Sequence, residues 1–329
     1  MKTKTKYIIA GVGLAALGTL TAASAYGYTL GRLMKMALDR EPPKTREGEA
    51  DMLAGTKGIS EAMKVLDNYA EELKKRESHT VTIRADDGTK LVGHLIEAER
   101  PERLIIAMHG WRSSWCKDFG VIAPFWLSKG CSVLFAEQRG QGNSGGDYIG
   151  FGLLERFDCL RWAEEIDKLT KGRLPIYLCG VSMGATTVLM AAGDPLPLSV
   201  RGVVADCGFT SPKEIWKHIA EKNLHIPYRI CDQVANDLCR RKINLGSDEY
   251  SCETALKNCA VPVLFIHGSD DTFVPLEMTF RNYKACGGKK HLFIVPGAGH
   301  GASYLVDKAG YEKNLLDFWE LYDKGPTPV

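Results

Sequence analysis

Eight apolar runs, each followed by a turn or a helical stretch, constrain the fold of this 329-residue chain more than any other feature. They are TVTIRA, KLVGHLIEA, RLIIAMHG, CSVLFAEQ, PIYLCG, VRGVVADCG, VPVLFIHG and HLFIVPG. Several are apolar at nearly every position instead of at every second one. That is the pattern of strands covered on both faces, as in a parallel sheet flanked by helices. Between the later runs lie helical stretches such as LLERFDCLRWAEEIDKL and ATTVLMAAG. Repeated strand and helix units of this kind build a doubly wound α/β sheet. The first two runs are joined by Asp87-Gly88, a turn signal, and are expected to form an antiparallel entry pair. One interval breaks the rhythm: Pro212 to Ala260 has helical spacing and no strand signal, as expected of a cap over a ligand crevice.

The composition is that of a globular protein, 45% hydrophobic and 25% charged. A net charge of +2 gives no reason to expect a nucleic-acid partner. The ten cysteines contain no C-x-x-C, and Cys131, Cys179 and Cys207 fall in or beside apolar runs, so zinc and redox readings are weak. Cys231, Cys239, Cys252 and Cys259 are candidates for a bridge that spacing alone does not assign.

At the amino terminus Lys2, Lys4 and Lys6 precede an uncharged stretch from Tyr7 to Gly31. It is long enough to span a bilayer as a helix, and we expect an uncleaved signal anchor with the following domain outside the cytoplasm. The alternative is secretion after cleavage near Ala25, where small residues follow the apolar core. Residues 1–31 are thus expected to be the anchor, 32–57 a linker, and 58–329 the α/β domain with its cap at about 212–260. Ile59, Met63, Leu66, Tyr69 and Leu73 recur at helical spacing and predict an amphipathic helix at the start of that domain.

Two G-x-S-x-G matches occur, around Ser182 and around Ser144. Ser182 follows a strand and precedes a helix, the setting of a nucleophile elbow, whereas EQRGQGNSGGD around Ser144 is a loop. A serine hydroxyl needs a base, and the base an orienting acid, and in this fold type both follow the serine in sequence. FIHGSDDTFVP and FIVPGAGHG end the last two strands on the same sheet edge and offer Asp271 or Asp270, and His300. Asp206 is a further candidate acid at that edge. His109 and His267 precede glycine at strand ends and are expected to fix loops; the remaining histidines lie at strand edges or in the cap.

On these motifs the chain from about Thr80 onward resembles the α/β-hydrolase superfamily, and within it the bacterial membrane-anchored serine hydrolases of the S9/S33 peptidase and esterase type. The resemblance implies an H-G-x-x-D-x-x-V-P loop at His267, Gly268, Asp271, Val274 and Pro275, with Asp271 as acid, His300 as base and Ser182 as nucleophile. It implies an oxyanion hole from the backbone N–H groups of Trp111 and Met183, and a structural role for Glu137 in EQRGQGNS. No cofactor or metal follows from it. The expected reaction is hydrolysis of a carboxylic ester through an acyl-enzyme. A peptidase or acyltransferase on the same triad, or a non-catalytic membrane-tethered binding protein, remain alternatives. Trp216, Ile219, Leu224, Ile226, Tyr228 and Ile230 in the cap suggest an apolar substrate group, although we expect most of them to form the cap's own packing core.

Overall fold

The computed structural model describes residues 27–43 and 60–324. A helix over 27–38 (α1) comes first, and Ser60–Lys74 (α2) follows. The antiparallel pair His79–Arg84 (β1) and Lys90–Ile96 (β2) is joined by a turn in which Gly88 takes φ +83°. Then come Arg103–Met108 (β3), the short helices Trp115–Phe119 (α3) and Ala123–Ser128 (α4), and Cys131–Glu137 (β4). Glu155–Thr170 (α5), Ile176–Val181 (β5), Met183–Ala191 (α6) and Val200–Asp206 (β6) continue the alternation. The insertion contains Pro212–His218 (α7), a π-helical turn at Ile219–Asn223, Tyr228–Ile243 (α8) and Cys252–Leu256 (α9). Val263–Gly268 (β7), Leu276–Ala285 (α10), Lys290–Val295 (β8), Ser303–Val306 (α11) and Lys308–Tyr322 (α12) complete the described chain.

All eight expected strands form one sheet in the order β1-β2-β4-β3-β5-β6-β7-β8, parallel from β4 onward. Both faces are covered. Trp162 of α5 packs in the core on one side, and Phe318 and Trp319 of α12 on the other. This is why β3, β4, β5 and β7 are buried along almost their whole length. After β3 the chain goes to β4 on one side, and after β4 it crosses to β5 on the other. The carboxyl ends of β3 and β5 therefore flank a crevice, the usual ligand position in an open α/β sheet.

The region expected to be a linker differs from expectation. Residues 32–38 of the expected linker and 27–31 of the expected anchor belong instead to α1, which is folded onto the domain with Leu30, Met34, Met36 and Leu38 buried. Burial of such side chains stabilises by roughly 1.5–3 kcal/mol each, enough to hold a short helix that would be marginal alone. The two prolines, Pro42 and Pro43, and the charges that suggest a linker lie after this helix, and Leu30, Met34 and Ala37 have helical spacing. Most of the expected anchor, 7–31, lies outside the described residues; among those described, no helix is long and apolar enough to cross a membrane. All ten cysteines are free thiols, so the bridge considered among Cys231, Cys239, Cys252 and Cys259 does not form.

Glycine matters most around β5. A Cβ on Gly180 would run into the backbone of Gly184, and one on Gly184 into the carbonyl of Met108. Gly184→Ala is therefore expected to destabilise by about 4 kcal/mol or more. Gly88→Ala, in open space at positive φ, should cost only about 1–2 kcal/mol. Urea denaturation of the two variants checks the contrast.

Candidate active site

Ser182 stands between the last residue of β5 and the first of α6, with φ 55° and ψ −118°. A side-chain-bearing residue at positive φ is strained, and here the surroundings hold it. The Ser182 N–H donates to Asp206 O at 2.9 Å, Thr186 N–H donates to Ser182 O at 3.0 Å, and the two glycines let β5, α6 and β3 close on the turn. The outcome is a hydroxyl pushed out at the carboxyl edge of the sheet.

His300, in the loop after β8, meets that hydroxyl. Its Nε2 lies 2.8 Å from Ser182 Oγ and its Nδ1 lies 2.7 Å from Asp271 Oδ2. Asp271, in the loop after β7, is fixed in turn: its Oδ1 accepts from the amides of Phe273 (2.9 Å) and Val274 (2.8 Å). His267 Nε2 lies 3.1 Å from the other oxygen. Burial alone would push the Asp271 carboxyl up, but the hydrogen bonds from His267 and His300 outweigh it and hold the group well below the usual carboxylate range. Asp271 is a charged acceptor for a His300 Nδ1–H, which leaves Nε2 to face the serine as an acceptor. Phe273 packs edge-on against the His300 ring, with centroids 4.9 Å apart.

The other candidates separate cleanly. Asp270 is exposed and bonded to Ser269 Oγ. Asp206 is buried with its carboxylate on Ser303 Oγ at 3.0 Å, and its burial pushes its pKa up. Ser144 is locked inside the structure, its Oγ donating to Glu137 O at 2.5 Å and accepting from Val92 N at 2.9 Å. Glu137 itself is held by His94 Nε2 at 2.8 Å and by the Asn143 amide. His267 spans from Thr279 Oγ1 (2.6 Å) to Val274 O (2.9 Å). His109 is buried, which lowers its pKa and keeps the ring neutral between Gly110 O and the amide of Gln138. The ligand atoms of Cys207, Asp271 and His300 lie within 4.8 Å of one another. Burial pushes the Cys207 thiol far up, however, and both His300 nitrogens already have partners. That trio does not make a metal cradle.

The loop after β3 passes beside the serine: a Cβ on Gly110 would lie 3.4 Å from the Ser182 Cβ. In this loop the Gly110 amide is bound by Asp118 Oδ2 (2.6 Å) and the Arg112 amide by Gln141 Oε1 (2.6 Å). The Trp111 amide between them has no acceptor among the described residues. The Met183 amide opens α6, where the first N–H groups have no partner within the helix.

A cavity of about 110 Å³ opens onto Ser182. The cap contributes Trp216, Ile219, Leu224, Ile226 and Tyr228 to its wall; Ile230 points away and is exposed. The two uses coincide: Trp216, Ile219, Ile226 and Tyr228 pack in or against the hydrophobic core, and together with Leu224 they also line the cavity. Phe151, Phe209 and Phe273 add to the wall, as do residues of α1. Aromatic residues in unrelated loops carry no local signal of such a role. The α1 residues do have helical spacing, which was absorbed into the apolar stretch preceding it.

The chain is similar to several known proteins. The family model described as Serine aminopeptidase, S33 matches residues 99–242. The Bacillus subtilis (strain 168) protein YqkD is 26% identical over 248 residues, covering 75% of this chain and 81% of YqkD. YfhR of Escherichia coli (strain K12) is 24% identical, covering 73% and 80%. Among solved structures, the Pyrococcus furiosus esterase Pf2001 superposes with a TM-score of 0.61 at 21% identity, covering 77% of this chain and 95% of the esterase. The Pyrococcus horikoshii acylaminoacyl peptidase superposes at 0.58 and 19% identity, covering 80% of this chain and 44% of the peptidase. With the strand order and the crevice above, the chain has the α/β-hydrolase fold.

The depressed Asp271 pKa has a consequence for stability. A carboxyl held below its unfolded value of about 3.9 stabilises the fold above that pH, and the contribution is lost as pH falls through and below it. Wild type is expected to exceed Asp271→Asn in unfolding free energy at pH 6, with the gap narrowing towards pH 3, as read by urea titration at each pH.

Proposed function

We propose that the protein is a serine hydrolase that cleaves carboxylic esters through an acyl-enzyme, with Ser182 as nucleophile, His300 as general base and Asp271 as the orienting acid. The observation that carries this reading is the position of His300, within hydrogen-bond reach of the serine through one nitrogen and of a charged carboxylate through the other. Ser182 Oγ attacks the ester carbonyl carbon while its proton passes to His300 Nε2. The imidazolium that forms is stabilised by Asp271, which keeps its charge throughout. The carbonyl oxygen becomes an oxyanion received by the amides of Trp111 and Met183. The tetrahedral intermediate collapses, breaking the carbon–oxygen bond to the alcohol, which takes the proton from His300. Water, deprotonated by the same nitrogen, then attacks the acyl-enzyme and releases the acid.

The lining of the cavity favours an ester over an aminopeptidase substrate. Among the described residues the wall around Ser182 carries no charged side chain. An aminopeptidase has to hold the α-ammonium of its substrate, and a cation beside an uncharged apolar wall is poorly solvated. An apolar acyl group loses nothing there. The uncharged stretch that precedes α1, Tyr7 to Tyr26, is what suggests attachment to a membrane, and we place the domain outside the cytoplasm. Protease treatment of intact cells tests this, since protection of the domain would contradict it.

A fluorophosphonate probe is expected to label wild type and not Ser182→Ala. Ser182→Ala should also lower ester kcat by about 10⁴-fold or more. Butyrate or longer p-nitrophenyl esters should turn over faster than aminoacyl p-nitroanilides. A folded wild type that resists the probe would remove the serine-hydrolase reading, and the reverse substrate ranking would replace the esterase with a peptidase.

A further inference from the structure

The first described helix is closer to the chemistry than its place in the sequence suggests. Thr29, Leu30, Leu33, Met34, Met36 and Ala37 all line the cavity that opens onto Ser182. Their spacing puts them on adjoining faces of α1, with Leu30 and Met34, and Leu33 and Ala37, each one turn apart. The cap supplies the facing wall through Trp216, Ile219 and Leu224. The cavity is therefore a slot between two elements, one before the sheet and one inserted within it.

Helix α1 is fastened at its carboxyl end by three separate parts of the domain, the loop after β3, the cap and the loop around Ser144. The Arg112 guanidinium donates to Met36 O at 2.8 and 3.0 Å and to Asp39 O at 2.5 Å, taking up carbonyls that a helix end leaves unpaired. Trp111 Nε1 donates to Ala37 O at 2.9 Å. Lys242 of the cap reaches Asp39 at 2.5 Å. Arg40 donates to Ser144 O at 2.5 Å and Gly142 O at 2.7 Å. A wall held this way presents a fixed shape to a substrate.

We propose that α1 is the specificity wall of the acyl pocket, with Leu33 and Met34 setting the length of acyl chain that reaches Ser182. This rests on the esterase reading above, in that the pocket receives the acyl group. The volume fits a selective role: about 110 Å³ is less than the ~150 Å³ of a dry apolar cavity that holds benzene, so the depth available to a chain depends on which side chains line the wall. Met34 is buried and Leu33 half-buried. Truncating the first deepens the pocket, and enlarging the second fills it.

The test uses the full chain, with p-nitrophenyl esters from acetate to decanoate as probes of length. Met34→Ala is expected to raise the octanoate-to-butyrate ratio of kcat/KM by about tenfold, and Leu33→Trp to lower it by a similar factor. Thermal melting checks that each variant is folded. Leu33→Trp, at the less buried position, carries the test should Met34→Ala fail to fold. Binding of 1-hexanol to Ser182→Ala by calorimetry gives a second readout that needs no hydrolysis; adding Leu33→Trp should weaken it about tenfold or more. Ester ratios within about twofold of wild type in the folded variants would overturn the wall and leave the esterase intact. A protein that hydrolyses no ester, yet binds hexanol in a manner sensitive to Leu33→Trp, would retain the wall and remove the esterase.

Discussion

The site depends on one strained residue and on the backbone that tolerates no alternative around it. Ser182 sits at positive φ because β5 must turn at once into α6, and that turn is possible only where Gly180 and Gly184 let three backbone segments close together. The strain has to be balanced by surrounding structure. Here it is balanced by main-chain hydrogen bonds from the serine to β6 and into α6, and by the covered sheet on both sides. Cys207, one residue beyond the Asp206 carbonyl that receives the serine amide, is also at positive φ (50°). Two neighbouring strands thus leave the sheet through uncommon backbone conformations, and Ser182 and Phe209 just beyond them line the cavity.

Much of the fold was legible from the chain. The eight strands were visible because a sheet covered on both faces writes itself as near-continuous apolar runs, and the antiparallel entry was visible because Asp87-Gly88 marks the turn. The candidate site was legible for a related reason. Ser182, Asp271 and His300 each follow a recognisable strand, so the carboxyl edge gathers them whatever the loops do in detail. Choosing Asp271 over Asp270 required a motif; the geometry shows the physical difference, one carboxylate bonded to two amides and two imidazoles, the other in solvent. The cavity wall was legible only in the cap, where Trp216, Ile219, Leu224, Ile226 and Tyr228 suggest an apolar substrate group. Phe151, Phe209 and Phe273 come from separate loops, and contacts between distant segments leave no periodic trace. α1 was hidden differently, because its apolar residues continue a stretch that already had another explanation.

The second G-x-S-x-G match shows how one pattern serves two purposes. Around Ser182 the glycines permit a strained turn. Around Ser144, Gly140 and Gly142 adopt positive φ in a loop wrapped about the Glu137 carboxylate, and the serine closes that loop against β2. The carbonyls that this loop turns outward are those that receive Arg40.

The attachment of α1 is made largely to carbonyl oxygens. Arg112 and Trp111 hold Met36, Ala37, Asp39 and Arg40 by main-chain groups that every residue possesses. This mounting does not depend on which side chains the helix carries towards the cavity, although burial of Leu30, Met34 and Met36 holds the helix in addition. Inheritance can change the inner surface of this wall one residue at a time without loosening its mounting. That gives the scaffold a replaceable liner: the reacting serine, its base and its acid stay in place while the shape presented to substrate drifts.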